Sequence, residues 1–127
     1  MVAVGAVDDS IKKAYQDLLD VQKKTIEQGN SVSELKALDL FCRGELQKYG
    51  HPNYGHSTGH GIGLEVHEFP RVSSASVDEK KGGHVFTIEP GIYHPGKWGM
   101  RLEDTVTVSL QGEIEVLTRF PKELILL

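Results

Sequence analysis

Apolar positions follow a helical repeat early in the chain and a strand repeat later. From Ile11 to Gln28, the residues Ile11, Ala14, Tyr15, Leu18, Val21 and Ile26 fall near helical spacing, which predicts an amphipathic helix. Asp8, Asp9 and Ser10 offer N-cap side chains for it, and Gly29-Asn30 ends it. A second helix is predicted to about Tyr49, with Leu35, Leu38, Phe41, Cys42 and Leu46 on its inner side. Ser31-Val-Ser-Glu34 reads as its capping box, with Ser33 as the alternative cap, and Gly50-His51-Pro52 stops it. A short connection between two helices predicts an antiparallel pair.

Beyond Tyr54 the pattern changes. Three glycines between 59 and 63 cost a helix roughly 1 kcal/mol each against alanine. Residues 64–67 fit a short strand and residues 71–83 a polar loop. Residues 85–93, 100–109 and 113–118 read as strands, with turns at Pro95-Gly96 and Gln111-Gly112. Residues 1–6 fit the tail of a further strand. Helices first and strands afterwards predict an α+β fold, two helices packed on a mainly antiparallel sheet.

Composition narrows the class. At 127 residues the chain suits one domain, residues 1–127, or part of one. Apolar residues are 39% and charged residues 25%, which fits a globular protein. A net charge of −4 gives no basic surface for nucleic acid, and no run is long enough to span a membrane. The single cysteine, Cys42, excludes an internal disulfide, reads as a buried apolar residue and points to a cytoplasmic compartment.

The candidate chemistry gathers in the second half. "HSTGHGIGLEVHEFP", from His56 to Pro70, holds three of the six histidines. His60 lies between glycines, which permit positive φ or close backbone approach. Glu89 ends an apolar strand, and Pro90 then removes a ladder donor. In the strand from Met100, the residues Arg101, Glu103, Thr105 and Thr107 share one face. Met100, Leu102, Val106 and Val108 share the other, with Asp104 among them. On its own, the Arg101 and Glu103 pair reads as a solvated ion pair. Strands lie about 4.8 Å apart, so His60, Glu89 and Glu103 on three extended segments can converge. One imidazole and two carboxylates suit a divalent ion such as Zn²⁺, Mn²⁺, Co²⁺ or Fe²⁺.

Three runs, in this order, resemble the motifs of the pita-bread metallopeptidases: Gly59-His60-Gly61-Ile62-Gly63-Leu64-Glu65-Val66-His67-Glu68, Phe86 to Tyr93, and Arg101-Leu102-Glu103-Asp104-Thr105-Val106. That family includes prolidase (Xaa-Pro dipeptidase), Xaa-Pro aminopeptidase and methionine aminopeptidase. The resemblance implies half of a pita-bread fold and hydrolysis of an N-terminal Xaa-Pro bond in a dipeptide or longer peptide. It makes His60, Glu89 and Glu103 metal ligands, with Glu89 also handling protons near the nucleophile. His67 would stabilise the oxyanion and contact substrate, while His56 and Arg101 would bind on the substrate side. These residues favour the proline-specific branch, and Glu89 with Glu103 argue against the metal-free creatinase branch.

The complete family site holds two metal ions, and two of its ligands are aspartates on strands before the first helix. Asp8 and Asp9 stand at a helix cap instead. The expectation is therefore a truncated, C-terminal half, weakly active or inactive, with one metal ion or none. The alternative is a binding module or remnant. An unpaired sheet edge predicts a homo-oligomer. His84 reads as structural, and His51 and His94 as solvated turn residues.

Overall fold

The computed structural model describes residues 1–127. The elements are β1 (Val2–Ala3), α1 (Asp9–Gln28), α2 (Leu35–Lys48), β2 (Gly59–Gly61), β3 (Glu68–Val72), β4 (Val85–Ile88), β5 (Gly91–His94), β6 (Trp98–Arg101), β7 (Asp104–Val108), β8 (Ile114–Val116) and β9 (Ile125–Leu126). The central sheet has the order β3-β2-β4-β7-β8 with every pairing antiparallel. β5 and β6 form an antiparallel ribbon, and β1 pairs in parallel with β9. The architecture is α+β, with two helices and a mainly antiparallel sheet, as the hydrophobic pattern predicts.

Strand alternation decides what each sheet face does. Phe86 and Ile88 of β4 and Val106 and Val108 of β7 pack with Leu35 and Leu38 of α2, Val72 and Ile114 in one buried cluster. Intervening positions point the other way, so Thr87, Glu89, Glu103 and Thr105 line a cavity on the face away from the helices. A second cluster joins Leu18 and Val21 of α1 and Cys42 and Leu46 of α2 to Ile92, Met100 and Leu102. Truncating one of its buried leucines to alanine costs about 2–5 kcal/mol.

Both long strand patterns break at a carboxylate. Residues 85–93 divide at Glu89-Pro90, where the chain leaves the central sheet for the ribbon, and residues 100–109 divide at Leu102-Glu103, where it returns. The break is held by the Leu102 N–H donating to Pro90 O at 3.2 Å. The two acidic side chains therefore sit at one junction, where the ladder stops consuming backbone groups.

Several local expectations change. Residues 64–67 form a turn, not a strand: Gly63 N–H donates to Glu65 O at 3.1 Å and Glu65 N–H to the Glu68 carboxylate at 2.8 Å. The strand begins at Glu68, and the predicted loop begins only after Val72. No capping box starts α2. Glu34 is its N-cap, and Leu35 N–H donates to Asp78 O at 3.1 Å, so a neighbouring loop satisfies the first turn. His51 is not solvated: its Nε2 lies 2.9 Å from Asp17 Oδ2 and its side chain is largely covered. His94 is half-buried against Trp98, ring centroids 4.4 Å apart. No helix is long and apolar enough to cross a membrane.

Candidate metal and substrate site

His60 stands on β2, the thinnest strand of the sheet, and its flanking glycines explain how. A Cβ on Gly59 would lie 1.8 Å from Thr87 O, and one on Gly61 would lie 2.2 Å from Phe69 O. Neither glycine has positive φ. Their role is close approach, letting β2 press between β3 and β4 with the imidazole on the cavity face. The ladder is interrupted there, and His60 N–H donates to Thr87 Oγ1 at 3.1 Å instead of to a carbonyl.

The His60 ring is oriented by Gly61 O, 2.9 Å from Nδ1. A carbonyl only accepts, so Nδ1 carries the proton, and the lone pair of the neutral ring lies on Nε2. Nε2 faces Glu89 Oε1 at 3.3 Å. Two electron-rich atoms aimed at each other need a proton or a cation between them. Glu89 is buried, and its Oε1 accepts from Thr87 Oγ1 at 3.1 Å, while Oε2 lies 3.4 Å from a terminal guanidinium nitrogen of Arg101. Arg101 thus turns toward Glu89; the expected ion pair between Arg101 and Glu103 does not form.

These groups surround a cavity of about 590 Å³. His56, His60, His67, Glu89, Arg101 and Glu103 all line it, together with Thr87, Thr105, Arg71 and Glu68. The His67 ring lies tilted against His60, centroids 4.3 Å apart. His56 bridges Ser57 O, 2.8 Å from Nδ1, and the Tyr93 hydroxyl, 2.9 Å from Nε2. Glu103 is exposed on the cavity wall and does not complete a group of three ligands: no His, Cys, Asp or Glu cluster of that size is close enough to share an ion. Asp8 and Asp9 stay at the start of α1, and Asp9 pairs with Lys12 at 2.9 Å.

The donor set still fits a divalent ion. An imidazole with Nε2 turned toward a buried carboxylate, and a second carboxylate on the same wall, offer the nitrogen and oxygen donors that such ions take. The second hydrogen bond of His60, to Gly61 O, holds the ring in the tautomer needed.

Four contributors escape a reading by strand pattern. Tyr93 and Thr87 orient His56, His60 and Glu89. Asp39 and Arg43 of α2 lie beneath the site, where Arg43 donates to Tyr54 O at 2.8 Å and to His56 O at 2.7 Å. A signal exists for Asp39: it falls four residues after Leu35 and three before Cys42, on the inner stripe of α2.

Comparison with known proteins places this geometry. Residues 1–109 match the model of metallopeptidase family M24. The Xaa-Pro dipeptidase of Pyrococcus horikoshii is 42% identical over 98% of this chain and 35% of its own length. A solved dipeptidase from the same organism superposes with a TM-score of 0.92 at 36% identity, covering 99% of this chain and 35% of that one. The X-Pro aminopeptidase of Thermotoga maritima gives a TM-score of 0.90, also at 36% identity, over 99% of this chain and 36% of that one. The chain therefore spans about a third of the length of these relatives. The two helices and their sheet are part of a pita-bread fold.

Proposed function

Because the chain belongs to metallopeptidase family M24, we propose that it carries one wall of an active site for metal-dependent hydrolysis of an N-terminal Xaa-Pro bond. The reaction is of the prolidase or Xaa-Pro aminopeptidase type. One observation supports the reading above the others: His56, His60, His67, Glu89, Arg101 and Glu103 share a single cavity, with His60 Nε2 held toward Glu89.

His60, Glu89 and Glu103 would hold a divalent ion, Mn²⁺, Co²⁺ or Zn²⁺, with Glu103 turning inward to join the other two, and the complete family site would hold two. When bound, such ions acidify water and polarise the scissile carbonyl. Glu89 accepts a proton at the nucleophile, with the Arg101 guanidinium beside its other oxygen. His67, exposed on the cavity wall, donates toward the oxygen that gains charge. His56 and Arg101 bind the proline side of the substrate, where a guanidinium suits a dipeptide carboxylate. Residues 1–127 alone hydrolyse weakly or not at all, because the two aspartates that the resemblance adds are not in the cavity wall. A reducing, cytoplasmic setting suits the single buried Cys42.

The test is turnover and metal content with an Xaa-Pro dipeptide, against the same dipeptide with alanine for proline, in Mn²⁺ or Co²⁺. Metal-dependent, proline-restricted cleavage by the complete catalytic unit is expected; proline-independent cleavage, or none, overturns the reading. The lack of a three-ligand cluster favours a second reading, a module that binds proline peptides without cleaving them. Binding without turnover in the same assay would establish it. The open edges of the sheet at β3 and β8, with Val116 exposed on the latter and Leu117 and Phe120 exposed after it, support a homo-oligomer. Light scattering over a concentration series checks this, and a monomer throughout contradicts it.

A further inference from the structure

We infer that Asp39 and Arg43, one turn apart on α2, are positioning residues for the substrate-side histidine His56 and for Glu89, acting through Thr58. This rests on the peptidase reading for its kinetic consequence, but not for its geometry.

Arg43 uses its whole fork. Nε and one terminal nitrogen donate to the two oxygens of Asp39 at 2.8 and 3.1 Å. That second nitrogen also donates to His56 O at 2.7 Å, and the other terminal nitrogen to Tyr54 O at 2.8 Å. A guanidinium is planar and its donors are fixed relative to one another, so gripping carbonyls 54 and 56 sets the path of the chain between them. Its centre also lies 4.3 Å from the Tyr54 ring centroid, and the Tyr54 ring stacks on the His56 imidazole at 4.7 Å. Arg43 therefore reaches His56 by two routes, its carbonyl and its ring neighbour.

Asp39 completes the clamp. It is fully buried, and its Oδ1 accepts from Thr58 Oγ1 at 2.6 Å and from Thr58 N–H at 3.3 Å. A carboxylate paired with arginine only accepts, which fixes the direction of every proton behind it. The Thr58 hydroxyl donates to Asp39, so at 2.5 Å the Tyr54 hydroxyl donates to Thr58, and the Cys42 thiol, 3.4 Å away, is left to donate to Tyr54. Burial pushes both Tyr54 and Cys42 up from their ordinary ranges, keeping both protonated as this chain of hydrogen bonds requires. Thr58 then passes the constraint on: its carbonyl accepts the Glu89 N–H at 2.7 Å. One ion pair on a helix thus sets the backbone under a substrate-side imidazole and under the buried carboxylate.

The clamp is tested on the isotope-labelled chain by the ¹⁵N signals of the His56 ring, and in the complete catalytic unit by kinetics. Arg43→Lys keeps the charge and loses the fork. Val21→Ala lowers stability in the helix core without removing any hydrogen bond of the clamp. The wild type and Val21→Ala are expected to share one His56 signature, with the proton on Nδ1. Arg43→Lys is expected to give mixed tautomers and a rise in KM of about tenfold, the worth of one charge-assisted hydrogen bond, with kcat little changed. An unaltered His56 signature and KM in Arg43→Lys overturn the proposal, as does Val21→Ala moving the signature equally. If Arg43→Lys fails to fold, Thr58→Val and Thr58→Ser decide: the valine variant should shift the signature and the serine variant restore it, and identical spectra overturn the proposal. A wild type without Xaa-Pro turnover sinks the peptidase reading alone, because the ring signals decide the clamp independently.

Discussion

Asp39 and Glu89 are both buried carboxylates beside an arginine, and they do opposite things. Asp39 receives four hydrogen bonds, two from Arg43 and two from Thr58, at 2.6–3.3 Å. Glu89 receives one, from Thr87, and meets His60 and Arg101 only at 3.3 and 3.4 Å. Asp39 is fully buried with both oxygens engaged, Oδ1 three times and Oδ2 once. Glu89 keeps acceptor capacity and borders about 590 Å³ of open space. Saturation marks a charge that holds the fold together, and loose pairing beside a cavity marks one kept for chemistry.

That contrast predicts different losses. On the proposed peptidase reading, Glu89→Gln in the complete catalytic unit should lower kcat on an Xaa-Pro dipeptide by on the order of 10²–10⁴-fold, the usual worth of a proton-handling group, while the thermal midpoint barely moves. Steady-state kinetics and melting curves check both halves, and a large fall in stability would erase the distinction. Asp39→Ala should do the reverse, costing about 3–5 kcal/mol in urea unfolding, because it strands the half-buried Arg43. A loss below about 1 kcal/mol would show the pair to behave as a surface ion pair.

Two glycines sharpen the comparison at backbone level. Gly59→Ala places a methyl 1.8 Å from Thr87 O, in a wall that cannot yield without moving β4, and should cost about 1–3 kcal/mol. At Gly44, inside α2, an added methyl would meet nothing within 4 Å, and Gly44→Ala should stabilise by about 0.4–1 kcal/mol. Equilibrium unfolding of the two variants measures both signs.

The helices were legible because α1 and α2 bury continuous stripes, and the pattern places α1 within two residues of its start. The second and third motif runs were legible because strand alternation puts Thr87 and Glu89, and Glu103 and Thr105, on one face. β2 was not, since Gly59-His60-Gly61 owes its strand to close approach by β3 and β4, a tertiary fact with no local propensity behind it. β9 was missed because its only partner, β1, lies at the other end of the chain. Asp39 and Arg43 were not singled out, because their partners, the Tyr54 and His56 carbonyls and the Thr58 hydroxyl, reach them only through the tertiary fold. His51 looked like a turn residue because nothing local announces Asp17.

Asp17 supplies the smallest effect. It is buried, which by itself raises its pKa, but hydrogen bonds from Lys13 at 2.8 Å and His51 at 2.9 Å outweigh burial and hold it below the ordinary value of 3.8. A carboxylate with a depressed folded pKa binds protons more readily unfolded. Its contribution is therefore complete above pH 3.8 and is lost as pH falls through the lower folded value. Asp17→Asn removes this dependence. The difference in urea midpoint between wild type and Asp17→Asn should be constant from neutrality down to about pH 5 and shrink steadily below it. A difference that instead grows on acidification would mean that Asp17 is neutral in the fold and belongs with neither the saturated Asp39 nor the open Glu89.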